Sequence, residues 1–397
     1  MSQPGKLDAG ARLERLRGFL RADPANQPLA LDAAAAAREA GDLQAEADIL
    51  AAAASHHPDS AEIGHALGIN ALQRRDFRRA ALCFDALLVA GHDHPVVRYN
   101  LAFAQLYAGA PQAAVDALAD FSESDWAQLP QAHKLFAQAA HHVDGDDLSR
   151  SISHLQQYLA VQAEDAEARG LLALVCYDDG RSDEAEQQVL ATLQRQPDEP
   201  SALLAQGSLA LERQDHRQAA ESFDAILKRQ PQNGRAWSGL AFAHMLNLDF
   251  PAAQAAFIKA VEYMPDHIGT WHGLAWLQML HNDLTGAQHS LDKAMELDRN
   301  FGDTHGSLAV IAALQGRTDD AKRMARRGRG LNPKSFSARY AESLLLAHGG
   351  EREKAGEIVK TLLASSPIEG GQATSELVAA LLKRRQQDAS NEPESQA

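Results

Sequence analysis

Residues 234–267 read GRAWSGLAFAHMLNLDFPAAQAAFIKAVEYMPDH. Numbered 1 to 34, the stretch places Trp237 at 4, Leu240 at 7, Ala241 at 8, Ala253 at 20, Phe257 at 24, Ala260 at 27 and Pro265 at 32. Two short helices that pack as an antiparallel hairpin need small residues where their axes approach and large ones around them. Ala241 and Ala253 supply the approach, and Trp237, Leu240 and Phe257 fill the sides. A proline at 32 has no amide donor and pushes the residue before it out of the α region, so the second helix ends ahead of it.

The same ruler runs in both directions. Pro197, Pro231, Pro265, Pro333 and Pro367 are spaced by 34, 34, 68 and 34 residues, with Arg299 at the one skipped position. Forward, Trp271, Leu274, Ala275, Ala287, Leu291 and Ala294 repeat the pattern, then Leu308, Ala309, Gly316 and Ala321, then Ala355 and Val359. Backward, Gly207, Ala219 and Phe223 follow it, then Leu172, Ala173, Gly180 and Ala185, and more weakly Ala139, Ser151 and Leu155. Nearer the amino terminus the period survives in a shifted frame: Pro24, Pro58 and His92 stand at position 32, and Leu67, Gly68, Ala80 and Phe84 fall in place. From His92 to Ala163 is 71 residues, so three extra residues enter near ADFSESDWAQLPQ, 119–131. Ten repeats with one break in register result.

This pattern resembles the tetratricopeptide repeat position by position, with His244 where the family's tyrosine stands. The resemblance implies an all-α fold, a right-handed superhelical α-solenoid of about ten helix-turn-helix repeats. The expected organisation is an N-terminal tail and capping helix over 1–26, repeats 1–3 over 27–131 and repeats 4–10 over 132–369. A C-terminal capping helix over 370–386 and a disordered tail over 387–397 complete it. Terminal repeats of a solenoid need polar-backed caps. Leu13, Leu16 and Leu20 form an apolar stripe suited to the first, and Leu377, Val378, Leu381 and Leu382 one suited to the second.

Composition agrees with this reading and narrows function. Alanine and leucine dominate and β-formers are scarce. The formal net charge of -15 argues against a general nucleic-acid binder and against attraction to anionic membrane. The acidity is confined to residues 1–301, with 24 Lys and Arg against 41 Asp and Glu, whereas 302–397 carry 14 against 12. Two cysteines, Cys83 and Cys176, are too few for a disulfide framework or a zinc site. The first residues lack the apolar run of a signal peptide and no 18-residue apolar stretch occurs, so a cytoplasmic protein is expected, of bacterial character by its alanine-rich, lysine-poor composition.

The resemblance also implies that positions 2, 5, 9, 12 and 13 of each first helix face the concave groove. Positions 5 and 9 contain neither lysine nor asparagine, so the family's carboxylate clamp for heat-shock protein tails is absent. Position 6 offers one asparagine, Asn100, where the family's O-linked glycosyltransferases have a ladder. What remains is apolar: Tyr99, Phe103, Tyr107 and Phe136 in one concentration, and Phe242, Met245, Leu246, His272, Trp276, Met279 and Leu280 in another. Apolar grooves bind amphipathic helices or extended segments through hydrophobic anchors, and the same residues at these positions also suit packing between neighbouring first helices.

Other candidates are weaker. The pairs His56 and His57, His92 and His94, and His141 and His142 lack a Cys, Asp or Glu at helical spacing that would complete a metal site. VDGDDLSR, 143–150, lacks the ligand alternation of a calcium loop. No nucleophile or acid–base pair converges on a loop-built pocket, so neither catalysis nor a cofactor or metal is expected. Lys322, Arg323, Arg326, Arg327 and Arg329 form a basic run on a second helix, hence on the convex side, where a solvated face or an acidic partner suits them. The expected function is a non-catalytic scaffold, adaptor or chaperone-like protein that binds an apolar segment of a protein or peptide partner. An accessory subunit presenting substrate to a separate enzyme, or a secretion or assembly chaperone for one client, are the alternatives. The sequence leaves oligomeric state open.

Overall fold

The computed structural model describes residues 4–143 and 148–364, and among them every regular element is a helix. The chain divides into two compact units, residues 1–181 and 182–397. The first holds α1 (Pro4–Ala22), α2 (Gln27–Ala40), α3 (Leu43–His56), α4 (Ala61–Gln73), α5 (Phe77–Val89), α6 (Pro95–Tyr107), α7 (Pro111–Leu118), α8 (Glu123–Gln128), α9 (Gln131–His141), α10 (Ser149–Val161) and α11 (Ala166–Asp178). The second holds α12 (Ser182–Leu193), α13 (Pro200–Glu212), α14 (His216–Leu227), α15 (Gly234–Leu246), α16 (Phe250–Tyr263), α17 (Ile268–Leu280), α18 (Leu284–Leu297), α19 (Gly302–Leu314), α20 (Thr318–Leu331), α21 (Phe336–His348) and α22 (Arg352–Ala364). Within each unit consecutive helices pair as hairpins and each hairpin stacks on the next, the arrangement of an α-solenoid.

Nine hairpins turn at the same position. Gly41, Arg75, Gly109, Gly180, Gln214, Leu248, Asn282, Gly316 and Gly350 all stand at position 15 and all have positive φ, between 57° and 87°. The left-handed residue reverses the chain in the fewest steps, and the aspartate that often follows caps the second helix. Asp42, Asp76, Asp215, Asp249 and Asp283 each accept a hydrogen bond from the backbone N–H three residues on. Glycine meets the φ requirement at no steric cost; Leu248, at 57°, meets it against the side-chain clash that makes this region costly.

The hairpins close at position 32 through a carbonyl as well as a ring. The indole Nε1 of Trp237 donates to the carbonyl of Pro231 at 2.8 Å, and that of Trp271 to the carbonyl of Pro265 at 2.7 Å. Where the proline is missing the link persists: His305 Nε2 lies 2.9 Å from the Arg299 carbonyl, and Arg169 donates to the Ala163 carbonyl at 2.6 Å. Position 4 thus reaches back to position 32 of the preceding repeat, which explains why the period tolerates Arg299 and Ala163.

The core is built from positions 20 and 24. Ala80, Ala219, Ala253, Ala287 and Ala321 are fully buried, and beside them Phe84, Phe223, Phe257 and Leu291 are buried to 1 % exposure or less. A methyl group on Gly273 would lie 2.5 Å from the Phe257 ring, and one on Gly68 2.6 Å from the Phe84 ring, so these glycines admit the rings. In unit 1, α1 packs on α2, with Leu13 buried against Ala36, Ala37 and Ala45 and Leu16 beside it. The 119–131 stretch cuts α7 to eight residues and inserts the six-residue α8, whose start is closed by a reciprocal Ser122–Asp125 capping box. This break lies inside the first unit. The helix expected over 370–386, the tail over 387–397 and residues 144–147 of VDGDDLSR lie outside the described residues.

Candidate groove and surface residues

The two apolar concentrations part company in the structure. In the second, Met245, Trp276, Met279 and Leu280 are buried to 6 % exposure or less and belong to one continuous core cluster. The expectation that they line an open groove is corrected by this burial. The Trp276 ring sits 6.3 Å from Phe336 and 6.2 Å from Tyr340, both on α21. The intervening α19 carries Gly302, Gly306 and Ser307, and a methyl group on Gly306 would lie 2.5 Å from the Ala338 amide nitrogen. Small residues on α19 therefore draw α21 close, and the large side chain on α17 is covered.

His272 is half-buried, with Nε2 2.9 Å from the hydroxyl of the fully buried Thr304 and the ring edge-on to Phe301. Desolvation pulls its pKa down to about 4, against a smaller opposing pull from Asp303. It is a neutral packing histidine at neutral pH. Phe242, edge-on to Phe257 at 5.1 Å, and Leu246 are half-buried.

The first concentration is more open. Tyr99, Phe103 and Tyr107 are one turn apart on α6; the first two are half-buried and Tyr107 is 49 % exposed. Phe103 and Tyr107 have ring centroids 4.6 Å apart, and Phe77, the first residue of α5, joins them at 6.4 and 5.3 Å. Burial raises the Tyr99 phenol above its ordinary pKa. Phe77 escapes sequence reading because it stands on a second helix; its signal is the aromatic residue directly after the capping Asp76.

Phe136 does not belong to this strip. It is buried at 3 % exposure in a separate aromatic cluster at the register break, with Arg150 4.9 Å above its ring and His154 4.2 Å away. Trp126 of α8 stacks on His133 at 4.6 Å, and His133 Nδ1 lies 2.8 Å from His154 Nδ1. Burial lowers both histidines, His154 to about 4 with help from His133 and Arg150. The three inserted residues are thus accommodated by a packed aromatic plug, which spacing alone does not reveal.

The basic run on α20 is exposed throughout. Arg323 pairs with Asp320 at 2.7 Å and Arg329 with Glu342 at 3.2 Å, while Arg327 Nε lies 3.1 Å from His305 Nε2. Lys322 and Arg326 have no partner among the described residues. Also among the described residues, no group of three or more His, Cys, Asp or Glu is placed to hold a metal, and no helix is long and apolar enough to cross a membrane.

Two tetratricopeptide-repeat family models match the chain, one over residues 210–277 and the other over 136–200 and 307–367. Among solved structures, a monomeric mutant of IFIT1 with m7Gppp-AAAA shares 14% identity and superposes with a TM-score of 0.58, covering 90% of each chain. The human IFIT1 dimer with m7Gppp-AAAA also shares 14%, with a TM-score of 0.51, covering 91% of this chain and 94% of the other. At such identity these likenesses establish the fold. No curated protein sequence matches the chain. With its 34-residue hairpins, their repeated turn and the matches over both units, the chain belongs to the tetratricopeptide-repeat family, as an all-α scaffold for protein interaction.

Proposed function

We propose that this protein is a non-catalytic adaptor that captures a segment of a partner protein on the aromatic strip of α6. The observation that carries this is the line of Tyr99, Phe103 and Tyr107, one turn apart, joined ring to ring with Phe77 and left half-open. Aromatic rings offer large contact area at low entropic cost, and rings spaced by one turn match the anchors of a helical or extended segment. An adaptor, a chaperone for one client and an accessory subunit all use such a surface, and they differ in whether one partner or several are bound and in what ratio.

The test is affinity capture with the full chain beside the Tyr107→Ser and Phe103→Ser/Tyr107→Ser variants, with quantitative mass spectrometry of what is retained. Far-UV circular dichroism checks that the helices persist; the single variant changes a half-exposed residue and keeps the test valid should the double variant unfold. Partners recovered by the wild type and lost by Tyr107→Ser support the reading. An unchanged partner set with intact helices refutes it.

A further inference from the structure

The run RRDFRR, 74–79, places four arginines around Phe77. Arg74 closes α4, Arg75 is the left-handed turn residue at φ 59°, and Arg78 and Arg79 open α5. All four are exposed. Several other surface arginines have carboxylate partners: Arg12 with Glu39, Arg98 with Asp93 and Asp120, Arg213 with Glu186 and Arg323 with Asp320. Among the described residues none of the four forms an ion pair; Arg74 reaches only the Gln44 side-chain carbonyl at 2.9 Å. The nearest acid in sequence, Asp76, is occupied in capping the Arg79 amide. In a chain of net charge -15, four exposed guanidiniums without an ion pair are thus gathered within six residues.

The cluster and the α6 strip share an edge, because the Phe77 ring between Arg75 and Arg78 is the one that meets Phe103 and Tyr107. From this juxtaposition we infer that the segment captured by the strip is acidic, with Asp or Glu residues flanking an aromatic or aliphatic anchor. The inference rests on the docking reading above and adds the chemistry of the partner. The anchor lies against Phe103 and Tyr107 while its flanking carboxylates face Arg75, Arg78 and Arg79, whose planar forks donate paired hydrogen bonds to them. Charges at the rim of a binding surface chiefly set encounter rate and choice of partner, so the arginines select acidic segments among all those with a suitable anchor. Single-stranded nucleic acid also combines charge with stacking surfaces, but the acidic balance of the whole molecule disfavours a polyanion many charges long.

Fluorescence anisotropy with the full chain decides the matter. The probes are a fluorescein-labelled 14-residue peptide of Glu and Asp around a central Leu-Phe pair, its counterpart with Gln and Asn in place of the acids, and an oligouridine. The acidic probe is expected to bind about ten-fold more tightly than its neutral counterpart at low salt, and to lose most of that margin at high salt, where the Debye length falls to about 3 Å. The Arg75→Glu/Arg78→Glu/Arg79→Glu variant, altered only at exposed positions, is expected to remove the margin while retaining the neutral probe. Equal binding of acidic and neutral probes, both lost in Tyr107→Ser, overturns the charge inference and leaves the docking strip standing. Binding of the acidic probe that is indifferent to Tyr107→Ser removes the strip as the site. Failure of the acidic probe to bind at low salt, or tighter binding of oligouridine, overturns the inference outright.

Discussion

Replacing Trp276 by alanine separates packing from binding most sharply. The indole is 6 % exposed and lies against Phe336 and Tyr340 across the small residues of α19. A tryptophan buries on the order of 200 Å², which at about 25 cal/mol per Å² corresponds to roughly 5 kcal/mol of lost transfer free energy. Alanine retains part of the contact and the site relaxes partly, so a loss of about 3–5 kcal/mol is expected. Because contacts in a solenoid are confined to nearby repeats, the loss falls first on the α17–α21 region. Urea titration followed by far-UV circular dichroism, with hydrogen exchange to locate the melted helices, reads both size and place. Early loss of amide protection in α17, α19 and α21, with α6 unaffected, is the expected result. A midpoint equal to that of the wild type, together with loss of a bound partner, would refute the burial argument and return Trp276 to the groove.

Two further outcomes follow from local geometry. Leu248 is 62 % exposed at φ 57°, where leucine carries a left-handed backbone cost of roughly 1–2 kcal/mol; Leu248→Asn is expected to raise thermal stability by about 1 kcal/mol, and a lower melting temperature would contradict this. His272 is held neutral by burial with its pKa down to about 4, so the unfolded chain takes up the proton first as pH falls. Its contribution is fully present above about pH 6.5 and declines towards pH 4, amounting to about 2 kcal/mol lost by pH 5 at 1.4 kcal/mol per unit. Stability measured at pH 7.5, 6 and 5 in the wild type and in His272→Asn tests it, the variant being expected to show the shallower pH dependence.

Much of the fold is legible from a few residue types. The alanines at position 20, the Phe or Leu at 24 and the glycine or left-handed residue at 15 are local requirements of a tight helical hairpin, and each recurs often enough to be read by counting. The prolines at 32 are legible too, although their carbonyls, which accept from position 4, are the part that survives where the ring does not. The candidate site is less legible. Trp276 and Phe103 share position 9 and similar neighbours in sequence, yet one is core and the other half-open. The difference lies in the next repeat, in the glycines of α19 that let α21 close over the indole.

By itself, then, the sequence determined the period, the all-α class and the hairpin ends, because each depends on residues within one 34-residue unit. Only the tertiary structure decided which aromatics remain at the surface, that Phe77 joins Phe103 and Tyr107, and that Trp126, His133 and His154 plug the break. Exposure is a property of what packs over a residue, and in a stacked array that cover comes from neighbouring hairpins whose small residues set the distance of approach.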